Sequence, residues 1–242
     1  PEQVVSDYVL VPQKSLETNS KVVFSGDIFF INTLPFFVTI SDNIKFTTTE
    51  LLQSRKIKNI LIAFGHVKAI HDKRGFKIKE IRMDGEFAPL RHDLSTYSVN
   101  LNVTAANEHV PQVECQIRVV KERVRAIHHS LPFEFIPNLM LVELVYFSTM
   151  WINAFPPKGG VSQNVSPRGI MTGTQFDYTK HCKLPFGSYV QAHEEPDKTN
   201  TQGARTVGAI CLGPTGNLQG FYKFLNLRSG KLITRRNWTA LP

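Results

Sequence analysis

The sequence predicts an α/β domain, a mixed sheet with helices packed on it, followed by a small all-β barrel. Three observations lead there. Strand-like runs and helical periodicities alternate over roughly the first two thirds of the chain, the pattern of helices layered on a sheet. Beyond Lys183 the texture changes to short β-type runs separated by glycines. The composition, 42% hydrophobic over 242 residues, supports a large core and excludes wholesale disorder. The expected division is a lead-in at 1–20, the α/β core at 21–160, a connector at 161–182 and the barrel at 183–242.

Each element has its own signal. Lys21 to Ile31 is rich in Val, Ile and Phe, and Leu34 to Ile40 repeats that character after Asn32-Thr33, so the two read as neighbouring strands. Ile44 to Thr49 is a candidate third strand. From about Glu50 to Asp72, Ile57, Ile60, Leu61, Phe64 and Val67 fall near helical spacing, and Arg74-Gly75 supplies a stop. Phe76 to Met83 alternates apolar and charged residues, as does Val99, Leu101 and Val103 in shorter form. From Val110 to His129 the residues Val113, Ile117, Val120, Val124 and Ile127 make one buried stripe, with Pro111 tolerated in the first turn. Ile136 to Phe155 is apolar on most sides and ends at Pro156-Pro157-Lys158-Gly159-Gly160. In the last part, Tyr189 to Gln191, Val207 to Leu212, Phe221 to Leu227 and Leu232 to Thr234 are the strand candidates, and Glu194 to Gln202 reads as an exposed loop.

Charge narrows the choice of partners. The net charge is +8, and the stretch from Lys198 to Pro242 holds seven basic residues and no acidic one. Clustered cations of this kind are the footprint of an acidic polymer as partner. Three widely spaced cysteines, Cys115, Cys182 and Cys211, exclude a disulfide framework and a zinc ribbon. His128-His129 reads as a surface pair. The longest apolar stretch, Leu139 to Phe155, carries Glu143 and is too short and polar for a membrane span. The chain starts at Pro1 with no basic-then-apolar leader, which reads as a piece of a longer, intracellular polypeptide.

Three acids stand where an acid needs a reason. Asp27 lies within an apolar strand, where a carboxylate is costly unless paired or bound to a cation. Asp84 ends the Phe76 to Met83 strand, at the edge of an α/β sheet where sites gather. Glu114 lies roughly 100° around its helix from the centre of the apolar stripe, at the core's border. Arg118, Lys121 and Arg125 follow it within about 40° of one line, a ladder able to hold successive phosphates. Three carboxylates can hold two divalent ions, each a hard acid wanting oxygen, and such a pair suits in-line displacement at phosphorus. Taken singly, each acid equally fits a turn or an ordinary ion pair.

Together these residues resemble a known family. Asp27, then Asp84-Gly85-Glu86-Phe87, then Glu114 with Arg118 and Arg125 behind it, look like the Asp, Asp, Glu signature of copia-type retrotransposon integrases. Phe186 to Val190, Ala209 to Gly213, Gln219 to Tyr222 and Ser229 to Arg236 are similar to the small barrel that follows the catalytic core there, and Ser166 to Gly173 resembles the junction between the two. The interval from Asp84 to Glu114 is shorter than in the family, and the family's amino-terminal His/Cys zinc domain has no counterpart. The resemblance implies a ribonuclease-H-like core in which Asp27, Asp84 and Glu114 hold two Mg²⁺ or Mn²⁺ ions. The implied activity is that of a polynucleotidyl transferase with nuclease activity, joining element DNA to target DNA. Arg118, Lys121 and Arg125 would contact DNA, assisted by Lys223, Arg228, Lys231, Arg235 and Arg236. It further implies a nuclear homo-oligomer with no membrane or small-molecule substrate. The alternative is a decayed or domesticated relative that binds DNA without catalysis.

Overall fold

The computed structural model describes residues 13–104, 110–194 and 202–241. The segments just before the long charged helix and within the expected loop at 194–202 thus lie largely outside the described residues. A short helix α1 (Gln13–Thr18) leads into strand β1 (Lys21–Ile31), the axis of the first sheet. Strand alternation puts Val22 and Phe24 on one face and Val23, Ser25, Asp27 and Phe29 on the other. β2 (Leu34–Ser41) returns antiparallel through the tight turn at Asn32, and β3 (Thr47–Leu51) pairs antiparallel with β2. β4 (Lys77–Met83) and β5 (Asn100–Val103) run parallel to β1, giving the order β3-β2-β1-β4-β5. This mixed sheet with helices against it is the α/β arrangement the sequence predicts.

Helix α2 (Ile57–Lys73) covers the Val22 face, where Ile60, Ala63, Phe64 and Val67 join Val22, Phe24, Phe37 and Ile81 in one core. Gly75, at φ 87°, turns the chain from α2 into β4. A 3₁₀ segment (Gly85–Leu90) and α3 (Arg91–Thr96) add Phe87, Leu90 and Leu94 to the same core. Helix α4 (Pro111–Ser130) buries Val113, Val120 and Val124, and the Lys121 ammonium stands 5.9 Å over the Phe29 ring on the opposite face of the sheet. Two short helices were not foreseen there, because a turn and a half of helix carries no readable period. A third, α6 (Pro167–Thr172), turns the Ser166 to Gly173 segment into a capped unit. Ser166 Oγ accepts from Gly169 N (3.1 Å), Pro167 opens the helix, and Gly173 closes it at φ 74°.

One boundary corrects the sequence reading. The helix expected from about Glu50 begins at Ile57, and Thr47 to Leu51 is strand, displacing the strand expected at 44–49. Three consecutive β-branched threonines favour the pleated conformation, and hydroxyls lock it: Thr39 and Thr48 bond at 2.7 Å, Thr49 and Thr149 at 3.0 Å. Helix α5 (Asn138–Ile152) is followed by Asn153, whose side chain accepts from Thr47 N (2.9 Å) and donates to Thr47 O (2.7 Å).

The last part of the chain forms a second, antiparallel sheet after the single turn α7 (Tyr178–His181). Its strands are β6 (Tyr189–His193), β7 (Thr206–Pro214), β8 (Tyr222–Asn226), β9 (Leu232–Arg235) and β10 (Trp238–Ala240), in the order β10-β6-β7-β8-β9. Val190, Ala209, Cys211, Tyr222 and Phe224 form the core on one face. On the other, Tyr189 pairs with Ile210, Ile210 with Leu225 and Leu225 with Leu232, an apolar row across four strands. A cavity of about 710 Å³ lies over it, walled by Leu131, Phe135, Met140 and Phe186. Among the described residues, those up to Arg125 with Ser148–Gln175 form one compact unit, and Ala126–Phe147 with those from Phe176 onward form another.

Candidate functional site

The register of β1 and β4 assembles the site. Phe24 lies opposite Ile81 and Ser25 opposite Arg82. The ladder ends at this pair; continued by two residues, the same register would bring Asp27 beside Asp84 on neighbouring parallel strands. Gly26 keeps this passage tight: a Cβ there would stand 3.1 Å from Ile81 Cδ1. Asp84 ends β4 in extended conformation and precedes the 3₁₀ segment without capping it. Its Oδ1 has a weak contact with Thr104 Oγ1 at 3.5 Å. Glu114 occupies the first turn of α4, where the helix dipole favours an acid, and is exposed.

Electrostatics ties these positions together. The Asp27 carboxyl is raised from its ordinary 3.8 to about 6, first by burial. The Ile28 N–H, donating to Asp27 Oδ1 at 2.6 Å, opposes that rise. The charges of Asp84, Glu86 and Glu114 add to it, so all three stand close enough to be felt. Glu86 is the member to which the sequence reading gave no role. Its only signal was its place two residues after Asp84. Its carboxylate is held by the Arg55 guanidinium.

The cation that β4 itself carries beside the acids is already engaged. Arg82 lies one pleat before Asp84, but its guanidinium is taken by Asp42 (2.9 Å) and Glu80 (3.3 Å). Ser25, opposite Arg82, is fully buried and its hydroxyl has no partner among the described residues. The result is a half-buried acid, Asp27, that holds its proton to about pH 6, first because it is buried and then because it feels the charges of Asp84, Glu86 and Glu114. Hard oxygen donors of this kind suit Mg²⁺ or Mn²⁺. Among the described residues, no three His, Cys, Asp or Glu side chains are gathered tightly enough to hold an ion as they stand.

The basic residues fall into two groups. In the first unit, Arg118 and Arg125 are exposed on α4, whereas Lys121 is half-buried over Phe29. In the second, Arg228, Lys231 and Arg236 are exposed. Lys223 and Arg235 are engaged: the Lys223 ammonium pairs with Glu143 at 2.8 Å and lies 5.9 Å over the Tyr146 ring, and Arg235 Nε donates to His193 O at 2.9 Å. His128 and His129 pack edge to face at 5.8 Å. Cys211 is buried, its thiol pushed up to about 12 by burial. Among the described residues no helix is long and apolar enough to cross a membrane.

No protein-family model matches the chain, and no curated protein sequence matches it. Solved structures do. The catalytic core domain of bovine immunodeficiency virus integrase is 11% identical, with a TM-score of 0.45 over 62% of this chain and 93% of that one. The catalytic core domain of HTLV-2 integrase, in complex with magnesium, is similar in its trimeric form at 13% identity, TM-score 0.46, covering 62% and 95%. Its dimeric form is 12% identical, with a TM-score of 0.42 and coverage of 54% and 85%.

Proposed function

We propose that the chain is the catalytic core and trailing β domain of a retroelement integrase of copia type, a metal-dependent polynucleotidyl transferase acting on DNA. One observation carries this reading: the half-buried Asp27 feels the charges of Asp84, Glu86 and Glu114, and its carboxyl is raised to about 6, first by burial. A bound cation would favour the ionised form of such an acid. Asp27, Asp84 and Glu114 would hold two divalent ions, which supply charge to an in-line displacement at phosphorus when bound. Asp27 and Asp84, from neighbouring parallel strands, would hold those ions, and the ions would supply the charge that receives the phosphate. Glu114 would join them from the first turn of α4. Arg118, Lys121 and Arg125 hold the DNA backbone alongside, with Lys223, Arg228, Lys231, Arg235 and Arg236 as an auxiliary surface. The partners are element ends and target DNA, the working form is a homo-oligomer, and the compartment is the nucleus.

A second reading, a DNA-binding relative without catalysis, is favoured by the absence of a closed three-ligand group among the described residues. Strand joining on a short duplex in Mg²⁺ and Mn²⁺ separates the two. The first reading expects product from the natural chain, its loss in Asp84→Asn and Glu114→Gln, and unchanged duplex binding in both variants. Binding without product in either metal, or equal product from all three proteins, sinks it.

A further inference from the structure

At the other end of the first sheet, about 23 Å along β4 from Asp84 at 3.3 Å per residue, lies a cavity of about 500 Å³. Its walls carry Lys68 and Asp72 from the end of α2, Lys77 and Lys79 from the start of β4, and Tyr97 and Ser98 from the turn after α3. We propose that it binds a nucleoside di- or triphosphate.

A fault in the strand creates the site. Val22 pairs with Ile78 but Val23 with Glu80, so Lys79 is an extra residue in β4. Such a bulge re-aims side chains. Here Ile78, Ile81 and Met83 all reach the same core although they do not share parity, and Lys77 and Lys79 are both left outside. β5 pairs with β4 only from Glu80 onward, so the strand edge beside these lysines is open to the cavity.

The lining then reads as a ligand. Lys68 is paired with Asp72, which leaves one carboxylate already satisfied. Among the described residues no carboxylate pairs with Lys77 or Lys79, and the Ser98 hydroxyl makes no hydrogen bond. Two lysines with no carboxylate partner among the described residues, on one concave wall, call for a ligand with more than one negative charge, and lysine serves phosphate as a point charge. Tyr97 gives the ligand its second half. Its ring is packed against Phe64, centroids 6.1 Å apart, yet the residue remains 44% exposed. A fixed, partly bare ring beside two amines suits a base stacked next to its phosphates. The volume lies within the usual range for small-ligand sites.

Calorimetric titration of the full chain in EDTA at low salt, with ATP, pyrophosphate and inorganic phosphate as probes, tests this. ATP and pyrophosphate are expected to bind at one site, inorganic phosphate about tenfold or more weakly. Lys77→Gln and Lys79→Gln should each weaken pyrophosphate about tenfold, the ordinary worth of a charged hydrogen bond. Tyr97→Ala should weaken ATP and leave pyrophosphate unchanged. Lys77→Arg with Lys79→Arg keeps charge and retains binding, which separates lost charge from lost fold. Failure of both polyphosphates to bind the natural chain, or equal binding by the double Lys→Gln variant, overturns the proposal. So does a parallel loss of duplex DNA binding, which would make these lysines part of a nucleic-acid track.

Discussion

The two sheets break the rules of burial in opposite ways. The first sheet is covered by helices, and its anomaly is charge: a half-buried Asp27, a cluster of acids at one end and lone lysines at the other. The second has an ordinary aromatic core on one face, and its anomaly is bare hydrocarbon: Phe135 is 85% exposed and Leu227 53%. Misplaced charge inside an α/β core is expensive and local, so it marks chemistry. Uncovered apolar surface is tolerable in small amounts and marks association when contiguous. The difference teaches where each kind of function is to be sought.

The largest effect expected comes from the cores. Phe24→Ala in the first sheet and Phe224→Ala in the second should each cost about 3–5 kcal/mol, since both rings are fully buried. Urea denaturation followed by separate probes for each sheet tells whether they melt together. Two transitions, each moved by its own variant, would sharpen the contrast; one shared transition moved equally by both would break it.

Next in size is pH, and the signs differ between two groups of the first unit. His71 is buried between Phe24 and Phe46, its Nδ1–H donating to Val67 O at 2.9 Å, and its Nε2 has no partner among the described residues. Burial lowers it from 6.5 to about 4. The unfolded chain then binds the extra proton between those values, so stability is full above 6.5 and falls as pH drops toward 4, by about 3 kcal/mol. Asp27 is raised from 3.8 to about 6, so its folded form binds the proton first. Its share of stability is full below 3.8 and is lost as pH rises through 6. Melting curves of His71→Leu against pH should lack the acid-side loss. Those of Asp27→Asn should lack the smaller loss between about 4 and 6. Saturating Mg²⁺ should offset that second loss in the natural chain and do nothing for Asp27→Asn. A loss that is unchanged by the Asn substitution would remove Asp27 as its cause.

The smallest effects on stability belong to the basic surface. Arg228→Gln and Lys231→Gln should alter stability by no more than about 0.5 kcal/mol. In DNA titrations each should take about one unit from the slope of log affinity against log salt. Lys223→Gln should take less from the slope, because its ammonium is already spent on Glu143. Equal slopes for all three would mean that the pair opens on binding.

Much of this was legible beforehand, for physical reasons that also explain what was not. β1, β4 and α4 announced themselves because each buries one face and wets the other, and periodicity reports that directly. Asp27 was conspicuous for the same reason, as a charge among Phe and Ile. The third strand was expected at 44–49 and stands at Thr47–Leu51, because the following helix was read as starting at about Glu50. The role of Glu86 and the engagement of Arg82 could not be read at all. Both depend on which partner a charged side chain chooses across 31 or 40 residues of chain, and spacing along the sequence carries no trace of that choice. The bulge at Lys79 was hidden likewise, since one extra residue looks like ordinary alternation until the neighbouring strand fixes the register.

The side chain of Asn153 presents to β3 the same donor and acceptor that another backbone would. A sheet rim is where chains polymerise, and here part of that rim is already occupied by the protein's own amide. At Thr47, an incoming chain seeking to lengthen the ladder would first have to evict it.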